Sequence, residues 1–340
     1  MKLVNTVDAV GQMLCHDITQ IIPGEIKDAV FRKGHIITEE DIPVLLSVGK
    51  EHIYIWENNE NMMHENDAAQ VLYDISAGAN IHASEVKEGK IELIADCDGL
   101  LKADRERLKT VNSFGEMMIA SRHSDFAVKK GDKIAGTRII PLIIEKEKMN
   151  KVKDAVDGAK IFNVLPFRKK KFGIVTTGSE VFSGRIEDKF TPVLLKKMSE
   201  FGGELVGHAL CSDDHELITS KIKEMLSLGA ELVLCSGGMS VDPDDRTPLA
   251  IKNTGARIVT YGAPVLPGAM FMLSYYGENN IPVIGLPGCV MYAKRTVFDL
   301  VLPRIMADDM ITKEELDLLG EGGLCLNCDV CTFPNCGFGK

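Results

Sequence analysis

The sequence predicts an α/β protein: a three-layer α/β/α domain on a mostly parallel sheet, preceded by a region of α+β character. Two observations predict it. Between about residues 172 and 307, nearly continuous apolar runs alternate with amphipathic stretches of helix length, the rhythm of a parallel sheet covered on both faces. Before that, short β-like runs are punctuated by turns such as Lys33-Gly34, Glu88-Gly89 and Lys130-Gly131-Asp132. At roughly 150 residues per domain, 340 residues give about two domains and a remainder. The expected boundaries are 1–165, 166–307 and 308–340.

In the first region the strand candidates are Ile53 to Trp56, Ile91 to Ala95 and Ile139 to Ile144. The lone Trp56 reads as core. A helix is expected from Thr38, as N-cap, to Val48, with Gly49 just past its end. A second helix is expected from about Leu101 to Arg122. The basic run Arg168 to Lys171 reads as a solvated linker or strand flank.

In the second region Phe172 to Thr176, Leu205 to Leu210, Leu232 to Cys235, Arg257 to Tyr261 and Ile281 to Ile284 are strands. Helices fall between them. Thr191 to Phe201 places Leu194, Leu195 and Met198 on one face, and Asp214 to Leu228 is capped by an aspartate and ended by Gly229. Another begins at Thr247-Pro248, with Thr247 as N-cap and proline at the first helical position. Tyr292 to Met306 is the last. The appendage opens on a helix-like stretch, Thr312 to Leu319. The Met-rich runs at 117–118 and 270–272 read as packing.

Charge excludes some functions. Lys and Arg total 39 against 49 Asp and Glu, a net of 39 − 49 = −10, with a pI near 5.4. A nucleic-acid binder would show a dominant basic face, so none is expected as partner. No apolar run approaches the ~20 residues of a membrane span. The N-terminal Met1 to Asn5 carries no apolar signal segment, so the cytoplasm is the expected compartment. A small anion held by backbone amides stays open, because that chemistry needs no net positive charge.

Three strands are each followed by a glycine-bearing loop: Thr176-Thr177-Gly178-Ser179-Glu180, Ser236-Gly237-Gly238-Met239-Ser240, and Gly285-Leu286-Pro287-Gly288. In a doubly wound sheet, ligands bind outside the carboxyl ends of the strands. Glycine lets the backbone approach a ligand and turn its N–H groups into an anion nest. Ser179 and Ser240 add hydroxyls. Glu180, Asp242, Asp244 and Asp245 stand beside the loops, where carboxylates suit Mg²⁺ bridged to phosphate; an acidic turn before the next helix explains Asp242 to Asp245 equally well. No loop has the Walker A pattern or Gly-x-Gly-x-x-Gly, which disfavours P-loop hydrolysis and a standard dinucleotide fold.

These three loops, in order and spacing over about 170–307, resemble those of the molybdopterin-binding domain family, which includes MoeA-type molybdotransferases, MogA-type adenylyltransferases and gephyrin. The stretch Lys33 to Ile42, with Gly49 and Ile55, resembles the MoeA-type N-terminal portion. The resemblance implies a domain that binds molybdopterin or its adenylylated form with Mg²⁺, in an enzyme of molybdenum cofactor assembly, expected as a homodimer. Carried over by position, Thr177, Gly178 and Ser179 form one wall of the ligand site, Gly237, Gly238 and Ser240 the second, and Pro287 and Gly288 the third. Glu180 and Asp245 match the family's catalytic and metal-site acids. The sequence also departs from the family. No Asp-Gly-Tyr-Ala segment is present; Pro267-Gly268-Ala269-Met270 replaces Pro-Gly-Lys-Pro; Leu286-Pro287-Gly288-Cys289-Val290 replaces Leu-Pro-Gly-Asn-Pro. These losses leave two other functions open: a non-catalytic pterin carrier serving a molybdoenzyme client, and a nucleotide-pyrophosphate hydrolase on the same fold.

Nine cysteines divide into two groups. Cys15, Cys97, Cys211, Cys235 and Cys289 are scattered and read as small buried hydrophobes. Cys325, Cys328, Cys331 and Cys336 follow Cys-x2-Cys-x2-Cys-x4-Cys, and the first three have the spacing that wraps a [4Fe–4S] cluster. Zn²⁺ on four thiolates is the rival and stays open, although such sites usually show two separated Cys-x2-Cys pairs. Gly322-Gly323 before the cysteines suggests a mobile attachment that metal would order.

Overall fold

Lys90 to Ala95 alternates outward and inward side chains, with Ile91, Leu93 and Ala95 wholly buried, as a half-covered antiparallel strand requires. In the computed structural model, which describes residues 2–22, 26–55 and 60–340, it is the second strand of a four-stranded antiparallel sheet. The strand order is Ile81–Ala83, Lys90–Ala95, Lys133–Ile139, Met117–Ser121. Helices Glu65–Ser76, Arg105–Ser113 and Lys146–Ala155 belong to the same part of the chain. Lys2–Asn5 pairs with His52–Ile55, and beside this ribbon Leu14, Ile18, Ile37, Leu45 and Ile53 make a small core. The α+β reading of this region holds. Trp56 lies outside the described residues.

Three elements differ from expectation. The helix expected over Leu101–Arg122 is strand Gly99–Ala103, helix Arg105–Ser113 and strand Met117–Ser121. Asp104 caps the helix by accepting from the Arg107 amide at 2.9 Å, and positive φ at Gly115 and Glu116 turns the chain out of it. The strand expected over Ile139–Ile144 breaks at Ile140-Pro141-Leu142 and resumes as Ile143–Glu145. The helix Asp41–Ser47 begins later than expected: Asp41 accepts from the Thr38 amide at 2.8 Å, and Thr38 lies outside the helix.

The chain separates into two compact units, and the second takes in 97–102 and 123–130 as well as 164–340. Within it a six-stranded sheet is built from β1 (Lys171–Thr177), β2 (Glu204–Cys211), β3 (Leu232–Ser236), β4 (Arg257–Tyr261), β5 (Met272–Tyr276) and β6 (Ile281–Leu286), in the order β2-β1-β3-β6-β5-β4. The pairs β1–β2, β1–β3 and β3–β6 are parallel; β5 and β4 add an antiparallel edge. Alternate side chains feed two helical layers. Phe172 and Ile174 join Leu194 and Met198 of helix α1 (Phe190–Ser199) and Phe298 and Val301 of helix α4 (Val297–Met306). Val175 and Val233 face Ile218, Ile222 and Met225 of helix α2 (His215–Ser227) and Ala250 and Ile251 of helix α3 (Thr247–Asn253). Each such fully buried side chain contributes about 1.5–3 kcal/mol of transfer free energy. Gly173 is glycine because a Cβ there would lie 2.6 Å from Met225 Cβ, so the absent side chain sets the approach of α2 to the sheet. This is the three-layer domain with a mostly parallel sheet.

Helix α4 starts at Val297, not Tyr292, because Thr296 and Asp299 close a capping box there. Strand β5 lies where the sequence pattern marks no strand, and its Met272 is 3% exposed in the core. The appendage is tied down: Thr312 and Glu315 cap helix α5 (Lys313–Asp317), the Cys325 amide donates to Leu266 O at 2.8 Å, and Phe338 is 4% exposed within the α1–α4 core. The mobile attachment is therefore not what this structure shows. Within the run Arg168–Lys171, Lys170 is buried and paired with Asp308.

Candidate functional site

The register decides where the three loops go. Thr176 pairs with Ser236, and Ser236 with Leu286, so β1, β3 and β6 end level and side by side. Their loops emerge at one sheet edge. From β1 the chain runs to β2 on one side, then to β3 on the other, so the crevice after β1 and β3 is the topological switch point.

A cleft of about 660 Å³ opens there. Six of the expected residues form its wall: Thr177, Gly178 and Glu180 from the first loop, and Gly238, Ser240 and Asp245 from the second. The other four are not on that wall. Ser179 is committed to Asp213, a wall residue: its amide and hydroxyl both donate to Asp213 Oδ2 at 2.8 Å. Gly237 (φ +90°) is packed on the first loop, where a Cβ would lie 2.9 Å from Thr177 Oγ1 and closer still to the Thr177 carbonyl oxygen. Pro287 and Gly288 lead into the 3-10 turn Gly288–Met291, which presents Met291 to the cleft.

The second loop is braced on three sides. Asp245 accepts from the Ser240 amide at 2.8 Å. The Thr247 hydroxyl donates to Gly237 O at 2.8 Å and lies 3.0 Å from the Thr177 hydroxyl. Thr247 is thus a clasp between loops inside the helix, while Arg246 holds the cap position expected of Thr247. From the antiparallel edge, the Tyr261 hydroxyl donates to Met239 O at 2.9 Å. Burial, and then the neighbouring Asp245 carboxylate, push the Tyr261 phenol above its ordinary pKa. Nearby, His208 Nε2 lies 3.0 Å from Thr191 Oγ1 and 3.4 Å from Asp188 Oδ2. Asp188, His208 and Tyr261 escaped sequence reasoning, and Asp213 and Thr247 were legible only as helix caps. Their contacts cross between elements, and only the level strand ends could have signalled them.

The cleft's charge is lopsided. Glu180, Glu187, Asp213, Asp242, Asp244 and Asp245 face it against one ammonium, Lys189. An anionic ligand meets carboxylates here unless a divalent cation stands between. Hard oxygen donors suit Mg²⁺, which is commonly held by one or two carboxylates plus substrate phosphates and water. Among the described residues no three His, Cys, Asp or Glu side chains converge as a ready-made metal set.

Fold and site define a class: a doubly wound α/β domain that offers glycine loops and carboxylates at its switch point. Comparison makes the class specific. Residues 173–307 match the family described as "Probable molybdopterin binding domain", and residues 3–57 match a "Domain of unknown function (DUF8806)". The segment 173–307 is thus similar to the family of probable molybdopterin-binding domains, the family its loops resemble. A CinA-like protein of Mycolicibacterium vanbaalenii is 37% identical over 93 residues, covering 27% of this chain and 22% of that protein. The molybdopterin molybdenumtransferase of Synechococcus elongatus is 23% identical over 176 residues, covering 49% of this chain and 44% of that enzyme. The chain therefore spans about a fifth of the first relative's length and under half of the second's. Among solved structures, the molybdopterin biosynthesis MoeA protein of Pyrococcus horikoshii is 18% identical, covering 73% of this chain and 80% of that one at a TM-score of 0.35. The tungsten cofactor synthesizing protein MoaB of Pyrococcus furiosus is 22% identical, covering 36% of this chain and 84% of that one at 0.32. No helix among the described residues is long and apolar enough to cross a membrane.

Proposed function

We propose that the cleft binds molybdopterin or its adenylylated form and that the protein carries out a Mg²⁺-dependent molybdo- or adenylyl-transfer in molybdenum cofactor assembly. The observation that supports this most is the meeting of two glycine loops and a carboxylate wall in one cleft. In this reading the Gly178 and Gly238 backbones approach the ligand, and the Ser240 hydroxyl donates to it. Glu180 and Asp245 hold Mg²⁺, which would neutralise phosphate charge and polarise the transferring group. Asp245, already fixed by the Ser240 amide, keeps its carboxylate pre-positioned. The tail cysteines form a metal-binding appendage. A homodimer in the cytoplasm, delivering to a molybdoenzyme client, completes the proposal.

The test mixes the protein with molybdopterin, Mg²⁺-ATP and molybdate, and compares wild type with Glu180→Gln and Asp245→Asn. Product from wild type and at least a 100-fold loss in either variant is expected, the scale of removing a group that acts in the transition state. Pterin binding without product from wild type refutes transfer and leaves the carrier, which the replaced lysine and asparagine positions, Ala269 and Cys289, favour. The other reading is a nucleotide-pyrophosphate hydrolase on the same fold. Turnover of an ADP-ribose-type substrate with no pterin binding would establish it instead.

A further inference from the structure

We propose that Cys325, Cys328, Cys331 and Cys336 ligate a [4Fe–4S] cluster in the cavity they line. This deepens the metal-binding reading of the tail and does not depend on pterin chemistry. All four cysteines face one cavity of about 230 Å³, although two of them are exposed and two half-buried. Shared spacing in sequence does not require this; the fold of the tail brings them round one space. Phe338, buried in the domain core, and the Cys325 amide on Leu266 O anchor the two ends of the cysteine segment.

The domain grips the segment between those anchors. Lys294 Nζ donates to Cys328 O at 3.0 Å and to Asp329 O at 2.7 Å. The Arg295 guanidinium stacks over Phe333, 4.9 Å from the ring centroid. Lys294 and Arg295 are the charged residues on the cavity wall, and no carboxylate shares it. Four thiolates around an iron–sulfur core leave a net anionic assembly, and two cations beside it offset that charge.

Spacing and room favour the cluster over zinc. Cys325, Cys328 and Cys331 have the spacing that wraps a [4Fe–4S] core, whereas zinc on four thiolates usually takes two separated Cys-x2-Cys pairs. The four cysteines line a cavity of about 230 Å³, room for a polynuclear core. Assembly from ferrous and ferric iron in equal amounts plus sulfide needs no further oxidant or reductant. Each Fe–S(Cys) bond forms as the thiol proton leaves for solvent.

The test reconstitutes the full chain anaerobically, without pterin, using Fe²⁺, Fe³⁺ and sulfide, and measures iron, acid-labile sulfide and the paramagnetic resonance of the reduced sample. About four iron and four sulfide per chain are expected. Cys331→Ser and Cys336→Ser should lose at least half of that iron, Cys97→Ala none. Thermal melts of the metal-free proteins show whether the serine variants are folded. For any that is not, protection of Cys328 and Cys331 from alkylation in reconstituted wild type gives the same information. One zinc per chain without sulfide, or iron loading that ignores these cysteines, overturns the proposal. Pterin binding is measured separately on the same preparations, so failure of either idea leaves the other standing.

Discussion

Replacing Gly237 by alanine tests whether the two glycine loops are held together as described. Gly237 has φ +90°, and a Cβ there would meet the Thr177 hydroxyl at 2.9 Å and its carbonyl oxygen closer still. That oxygen belongs to backbone at the buried end of β1, so it cannot swing aside as a flexible side chain would. Two costs add. Left-handed backbone costs an L-residue about 1–2 kcal/mol, and forcing atoms into a packed site costs about 1–3 more. Gly229 supplies the control: its φ is +86°, and a Cβ there meets nothing within 4 Å. Gly229→Ala should therefore cost only about 1–2 kcal/mol, and Gly237→Ala about 2–5. At about 2–4 °C per kcal/mol, thermal melts followed by circular dichroism should separate the variants by several degrees. Molybdopterin affinity should fall at least tenfold in Gly237→Ala alone, the equivalent of about 1.4 kcal/mol spent on opening the loops. Equal melting shifts in the two variants would refute the close packing of the second loop on the first.

Arg304 is 8% exposed and bonds Asp309 and Glu315, with Asp125 at 4.0 Å. Arg304→Met leaves the half-buried Asp125 and Asp309 to Lys102 and Glu315 to Thr312; a loss of about 1–3 kcal/mol in denaturant titration is expected, and no measurable loss would contradict it. For Asp308, burial favours the neutral acid, yet hydrogen bonds from Lys170 and Arg168 outweigh it and hold the carboxyl below its ordinary pKa. A lowered folded-state pKa gives stability that is present above the unfolded value, near pH 4, and lost as pH falls through the folded one. Asp308→Asn should accordingly lower stability at neutral pH and flatten its decline below about pH 4; an unchanged acid limb would count against the pairing.

How legible was all this in the chain? The parallel core was, because Phe172 to Thr176 and Leu232 to Cys235 are buried on both faces and read as continuous apolar runs. The loops were, because glycines and hydroxyls sit directly after those runs. Leu101 to Arg122 misled, since its apolar residues suit helix or strand, and only the Asp104 cap and the Gly115-Glu116 turn divide it. Thr247 misled for a related reason: before proline it has every local mark of a cap, and its actual partners are 70 and 10 residues away. Ser179 was legible as a loop hydroxyl, but its commitment to Asp213 depends on β2 ending beside β1. Of the scattered cysteines, Cys15, Cys211 and Cys235 are buried as expected; burial holds the Cys211 thiol up at about 11 and Cys235 higher. Cys97 and Cys289 are only half-buried.

The turn that follows β6 now has a wider meaning. Met291 stands on the wall of the cleft, and a few residues on, Lys294 and Arg295 stand on the wall of the cysteine cavity. One short stretch of backbone is common property of two chambers. Whatever fills either chamber works against the same backbone, and the energetics of such sharing run both ways: a guest that shifts the stretch for its neighbour is shifted equally in return. A pterin titration run with the cysteine cavity filled and empty would read that exchange directly, as a change in affinity that a pair of independent sites would not show.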